Sequence, residues 1–250
     1  PAPQFERPDA ENYVTVRTSG RARLTPAYGV TGIRPWSKTL TILVSEEGLR
    51  AGEEVVIVLG DRSRGGPGMR AQTHPESPFQ FTFEVDPFGT ALYQPIAKLG
   101  FEITGGTRSR LYLVAPTEAV VGDDARVQVR ALDLWGNPDP EYRGTIRLSG
   151  ENASLPSTGY SFTREDAGVH WFDDVRFTSP GIARITATDD GGGLHATSNP
   201  VRVHQTIPAS RIYWADIHGQ TQETVGTGTI PNYFHYARHI AGVDAAAHQG

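Results

Sequence analysis

Apolar and polar residues alternate along this chain in short bursts, each broken by glycine, proline or an acidic turn. A two-residue period is the mark of a strand with one face buried. Tyr13-Val14-Thr15-Val16 is the first such run. Leu40, Ile42 and Val44 share one face of a second, with Thr39, Thr41 and Leu43 on the other. Val55-Val56-Ile57-Val58-Leu59 is continuously apolar up to Gly60-Asp61, the pattern of a central buried strand. Phe79, Phe81, Phe83 and Val85 alternate with Gln80, Thr82 and Glu84, and Phe101-Glu102-Ile103 closes the series before Gly105-Gly106. Residues 1–109 therefore read as an N-terminal β-rich, sandwich-like domain behind a proline-rich lead-in.

A second series follows over residues 110–205. Leu111, Leu113 and Ala115 open it. Val127, Val129 and Ala131 face one way, and Arg126, Gln128 and Arg130 the other. The turn Trp135-Gly136-Asn137-Pro138 leads to Thr145–Leu148, Tyr160–Phe162, Val169–Phe177, Ile182–Thr188 and Pro200–Val203, with turns at Ser179-Pro180-Gly181 and Asp189-Asp190-Gly191. This density of short strands fits an immunoglobulin-like β-sandwich. The wording Ala131-Leu132-Asp133 to Gly136-Asn137-Pro138, then Tyr142-Arg143-Gly144-Thr145, resembles bacterial immunoglobulin-like modules of the invasin type. Such modules serve as spacers, binders and packing partners, so the likeness does not name a function. Trp135 is expected as a turn aromatic and Trp171 as a core aromatic. His74, His170, His195 and His204 are scattered without metal-site spacing and are expected to be structural or surface residues.

Composition narrows the classes. Glycine (28) and proline (18) are plentiful, as in an all-β protein rich in turns. There is no cysteine, which removes disulfides, thiolate metal sites and a cysteine nucleophile. A net charge of -5 with both signs interspersed argues against a nucleic-acid partner. No apolar run approaches the roughly 18 residues of a membrane span, so no membrane partner is expected. Pro1-Ala2-Pro3 has neither the charged nor the apolar region of a signal peptide, and the compartment, exported or cytoplasmic, stays open. Arg64-Gly65-Gly66-Pro67-Gly68 is not a phosphate loop, because no Gly-Lys-Ser/Thr follows and no helix opens behind it.

The pattern changes after Ile207-Pro208. Arg211 to His218 reads as a strand, and Gly219 to Thr229 as a polar loop. A helix begins near Pro231 and stops at Gly242, and Val243 to His248 forms a second strand. Strand, helix, strand means a parallel crossover. Four of the eight histidines lie between His218 and His248. His235 and His239, four apart on the helix, have the spacing of a metal pair. The apolar face Phe234, Ala237, Ile240 and Ala241, with Tyr233 alongside, turns them toward solvent, the reading preferred for both. His218 and His248 each fall at the carboxyl end of a parallel strand, where ligand sites of α/β structures form. Asp216, His218 and Gln220 share one side of an extended strand, and Glu223 in the loop is a further oxygen donor. A histidine at a strand end is also often just a hydrogen-bonded polar residue.

Tyr213-Trp214-Ala215-Asp216-Ile217-His218-Gly219-Gln220-Thr221 resembles the first motif of the polymerase-and-histidinol-phosphatase (PHP) superfamily, usually Asp-Leu-His-x-His-Thr. Ala246-Ala247-His248 falls where that superfamily has Thr-Asp-His. The closest likeness is to a bacterial family of PHP-like proteins with β-rich N-terminal regions and a His-Gly-Gln form of the motif. The resemblance implies the first β-α-β unit of a distorted (β/α) barrel over residues 206–250. It implies a cluster of divalent metals, zinc or manganese, and hydrolysis of phosphoesters or related bonds in a small-molecule substrate. It makes His218 and His248 metal ligands, with Gln220 and Glu223 as candidate ligands. Gln220 stands in place of a second histidine, and Ala247 in place of an aspartate. The expected fold class is mostly β: two sandwich-like domains, then the start of a barrel whose remainder lies outside this chain or in another. The functional expectation is the N-terminal portion of a metal-dependent hydrolase, itself inactive. The competing expectation is a non-catalytic β-sandwich binding or scaffold module.

Overall fold

The structure, a computed structural model, describes residues 2–29, 38–191, 193–226 and 228–249. Pro1 of the lead-in, Thr227 of the loop before the helix, and Gly250 lie outside the described residues. The protein is mostly β, with strands over 44% of the described residues and helix over 5%. The chain divides into two compact units, Pro1–Thr73 and His74–Gly250. The division falls upstream of the boundary expected near residue 109. The reason lies after the hairpin of residues 76–103, where the Gly106 amide donates to Asp133 and the Arg108 amide to Asp139, tying that hairpin's exit to the sandwich.

In the first unit, β1 (Val14–Thr18) pairs antiparallel with β4 (Val55–Leu59), and β2 (Arg23–Tyr28) with β3 (Leu40–Ser45). The Thr15 hydroxyl donates to the Asp61 carboxylate at 2.6 Å, pinning the end of the β1–β4 ladder. The apolar run Val55–Leu59 is not a central buried strand. Its described partner is β1, and Val55, Val56 and Leu59 are exposed. The described strands of residues 1–109 form separate two-stranded ladders, where one sandwich was expected. Their apolar side chains find too few neighbours to be covered: Leu43 and Val44 on β3 are exposed.

The second unit opens with a long hairpin, β5 (Glu76–Val85) and β6 (Gln94–Ile103), whose alternation brings Phe79, Phe81 and Phe101 into ring contact. The sandwich follows: β7 (Arg110–Val114), β8 (Glu118–Val120), β9 (Asp124–Leu132), β10 (Thr145–Gly150), β11 (Ala153–Ser154), β12 (Tyr160–Ser161), β13 (Val169–Phe177), β14 (Gly181–Ala183), β15 (Ile185–Asp189), β16 (His195–Thr197) and β17 (Val201–His204). One sheet has the order β11-β13-β9-β7, a second β12-β10-β15-β16, and a third β14-β17-β8 with β17 and β8 parallel. Val127, Val129 and Ala131 point inward as their alternation requires, and meet Tyr142, Ile146, Phe172, Phe177 and Ile185 in one core. The Asp133 turn is locked by amides of Gly106, Trp135 and Asn137, which hold the carboxyl down at about 2 against the cost of burial. Trp135 is the expected exposed turn aromatic.

Trp171 is not a core aromatic. Strand alternation sends its neighbours His170 and Phe172 inward, where His170 stacks on Tyr160 and its Nδ1 lies 2.8 Å from Asp166. Trp171 therefore lies on the outer face of β13, under the Arg126 guanidinium and against Gly242.

The chain closes with β18 (Ala215–Gly219), a helix α1 (Ile230–His235), a π-helical segment Tyr236–Ala241 and β19 (Ala245–His248). β18 and β19 are parallel, as the crossover reading requires. Thr229 caps α1 by accepting the Asn232 amide, and Gly242 ends the segment in the left-handed region at φ 68°.

Candidate functional site

The segment that carries the candidate chemistry is fastened to the sandwich at both ends. At its start, the Glu118 carboxylate accepts the Ile212 amide at 3.1 Å, and the Trp214 indole donates to the Thr117 hydroxyl at 2.7 Å. The amide from Ile212 and the His204 side chain hold the Glu118 carboxyl below its usual value. At the far end, Gln128 donates to the His239 carbonyl at 2.7 Å and Arg130 to the Ala241 carbonyl at 2.6 Å. These carbonyls end a helix and lack intrahelical partners, so side-chain donors satisfy them. Gln128 and Arg130 sit on the face of β9 that alternation assigns to solvent. The docked π-helical segment buries Gln128 completely.

Within the segment, a bulge separates the pairs Asp216↔Ala246 and Gly219↔His248. One extra residue in β18 breaks the alternation that would have put Asp216, His218 and Gln220 on one side. Asp216, Gly219 and His248 all face Tyr233 of α1. A Cβ on Gly219 would stand 2.1 Å from the Tyr233 ring, and the His248 ring is 6.3 Å from it. The Tyr233 phenol is pushed up by burial and by the Asp216 carboxylate, and it donates to the Ala247 carbonyl. His218, the residue before Gly219, is exposed. Its amide donates to Asp216.

The loop after β18 is a tight turn built on Thr221, which is fully buried. Its hydroxyl lies 2.9 Å from His248 Nε2. The Thr224 hydroxyl donates to Gln220 Oε1, and the Gly226 amide to the Thr221 carbonyl. Sequence reasoning did not single out Thr221. Its signal was its place as the last residue of the quoted motif. Gln128, Arg130 and Trp171 were also missed as anchors, because nothing near them in sequence announces what covers them.

Of the four expected metal ligands, His218 and His248 lie on adjacent parallel strands. Gln220 turns its amide oxygen to Thr224, and Glu223 is exposed with its amide donating to Thr221. Among the described residues no three His, Asp or Glu side chains gather closely enough to hold a metal ion. The donor types suit zinc or manganese.

No family model matches the chain, and no curated protein matches it. A solved structure with a detectable likeness is a glycosyl hydrolase family 2 member from Bacteroides cellulosilyticus, with a TM-score of 0.37 and 12% sequence identity. The match covers 76% of this chain, which spans 28% of that one. At that TM-score the likeness carries no argument about fold or function.

Proposed function

We propose that this chain is the N-terminal, scaffold-bearing portion of a PHP-like metal-dependent hydrolase acting on phosphoester or related bonds. One observation carries the reading: a parallel β-α-β unit, bearing the Asp216–Thr221 motif at its first strand end, is held at both ends by side chains of the sandwich. In this reading residues 206–250 begin a (β/α) barrel, and the remaining ligands come from outside residues 1–250. A bound divalent metal would supply a water acidic enough to yield hydroxide near neutral pH. The sandwich's part is to fix the orientation of β18 and β19 through Thr117, Glu118, Gln128 and Arg130. His218 is exposed and free to turn toward a ligand cluster. His248 keeps its Nε2 at Thr221 and would ligate through Nδ1.

The second reading, a non-catalytic scaffold or binding module, is favoured by the engagement of His248 Nε2 and Gln220 Oε1 within the turn. Metal analysis of the native gene product separates the two. Under the hydrolase reading it contains tightly bound metal and turns over phosphoesters, and His218→Ala lowers metal content and turnover together. Residues 1–250 by themselves show little or no turnover. A native product free of metal and indifferent to chelators leaves the scaffold reading.

A further inference from the structure

We infer that His235 and His239 form a surface chelate for a borderline divalent ion of the zinc, nickel or copper type, separate from His218 and His248 and independent of the hydrolase reading. The spacing alone did not carry this; the placement of the two rings does. His235 ends α1 and His239 lies in the π-helical segment Tyr236–Ala241. The two imidazole rings are 4.8 Å apart between centroids and inclined by 39°. Two imidazoles bound to one ion at the usual zinc–nitrogen distance of ~2.1 Å have centroids ~4.6–5.3 Å apart for coordination angles between square and tetrahedral. The observed separation falls in that interval.

Three further features fit. Both side chains are exposed, so an ion reaches them without opening the fold. Among the described residues, neither ring hydrogen-bonds to another group, so both are free to ligate. The backbone beneath is fixed: Gln128 holds the His239 carbonyl and Arg130 the Ala241 carbonyl, and the Trp171 indole lies 3.4 Å from the His239 carbonyl. A chelate whose backbone is held by the sandwich loses little further freedom on binding. Two protein nitrogens leave the other coordination positions to water or to a donor from a second molecule. That is the chemistry of an open site, or of an ion shared between copies.

Isothermal titration of residues 1–250 with zinc and with nickel tests the proposal. The expected result is one ion per chain, with binding weakened about tenfold or more by His235→Ala and equally by His239→Ala. His218→Ala, on the far strand end, should leave it unchanged. Because both histidines are exposed, either substitution should keep the circular dichroism and melting of the parent. Binding that survives the double substitution His235→Ala/His239→Ala, or that is lost with His218→Ala, overturns the assignment. So does a wild-type chain that takes up no ion.

Discussion

The sandwich and the β-α-β segment that follows it are built on opposite economies of contact. In the sandwich, Val127, Val129, Tyr142, Ile146, Val175, Phe177, Ile185 and Val201 are wholly or almost wholly removed from solvent and touch one another across sheets. Among the described residues of the segment, only Gly219, Thr221 and Ala237 are buried, while Tyr213, Trp214, Ile217, Val225 and Tyr236 remain exposed. One region makes its own core and the other takes its order from hydrogen bonds to a neighbour. A two-stranded parallel sheet with one short helix cannot bury enough apolar surface to offset its conformational entropy. Stability should therefore fail in two steps, first at the fastening and then in the core.

The largest effect is expected where the core is densest. Phe177→Ala removes a fully buried ring and should cost about 3–5 kcal/mol. Denaturant unfolding should show a lower midpoint, with the segment lost along with the sandwich because its anchors go. A segment that stays protected while the sandwich unfolds would break the dependence.

A smaller and local effect is expected from Arg130→Ala. The substitution strips the Ala241 carbonyl of its charged donor and Gln128 Oε1 of its partner, a change worth about 1.5–3 kcal/mol. Hydrogen exchange should rise over residues 230–248 and stay unchanged in β13. Equal loss of protection in both would mean that the two regions fold as one cooperative body.

Legibility in the sequence follows the same division. The alternation of Val127, Val129 and Ala131 named their buried side, because burial in β9 is set by the strand's own period. Gln128, one residue away, was placed on the opposite face and is also buried, because its cover comes from His239, 111 residues distant. Trp171 was expected as a core aromatic, although its strand parity sends His170 and Phe172 there instead. The parallel crossover and the stop at Gly242 were readable from helix-ending chemistry. The bulge between Asp216 and Gly219 was not, since an extra residue in a strand leaves no mark in composition. That one residue breaks the alternation that would have put Asp216, His218 and Gln220 on one side.

Gly242→Ala should act more mildly than Arg130→Ala. The position has φ 68°, where a side chain costs about 1–2 kcal/mol, and an added Cβ would lie 3.2 Å from the Trp171 ring. The segment should lose protection while the sandwich's unfolding midpoint holds. Gly242→Asn separates the causes, because asparagine tolerates the left-handed backbone better. Recovery with Asn assigns the loss to φ, and no recovery assigns it to crowding against Trp171.

The smallest change is the one that pH alone should produce. Glu118 accepts the Ile212 amide and lies beside His204 and Arg202, and its carboxyl is held below the ordinary 4.5, first by that amide. A carboxyl depressed in the folded state contributes stability that is present above its unfolded value and lost as pH falls through the folded one. Acidification below about 4.5 should therefore loosen the start of the segment around Ile212 while the apolar core of the sandwich holds. Glu118→Gln keeps the shape but carries no titrating carboxyl, so its exchange at residues 211–214, corrected for intrinsic rates, should not change over that interval. If wild type and Glu118→Gln respond identically to acid, the fastening at this end does not depend on the carboxylate, and the Trp214–Thr117 hydrogen bond carries it.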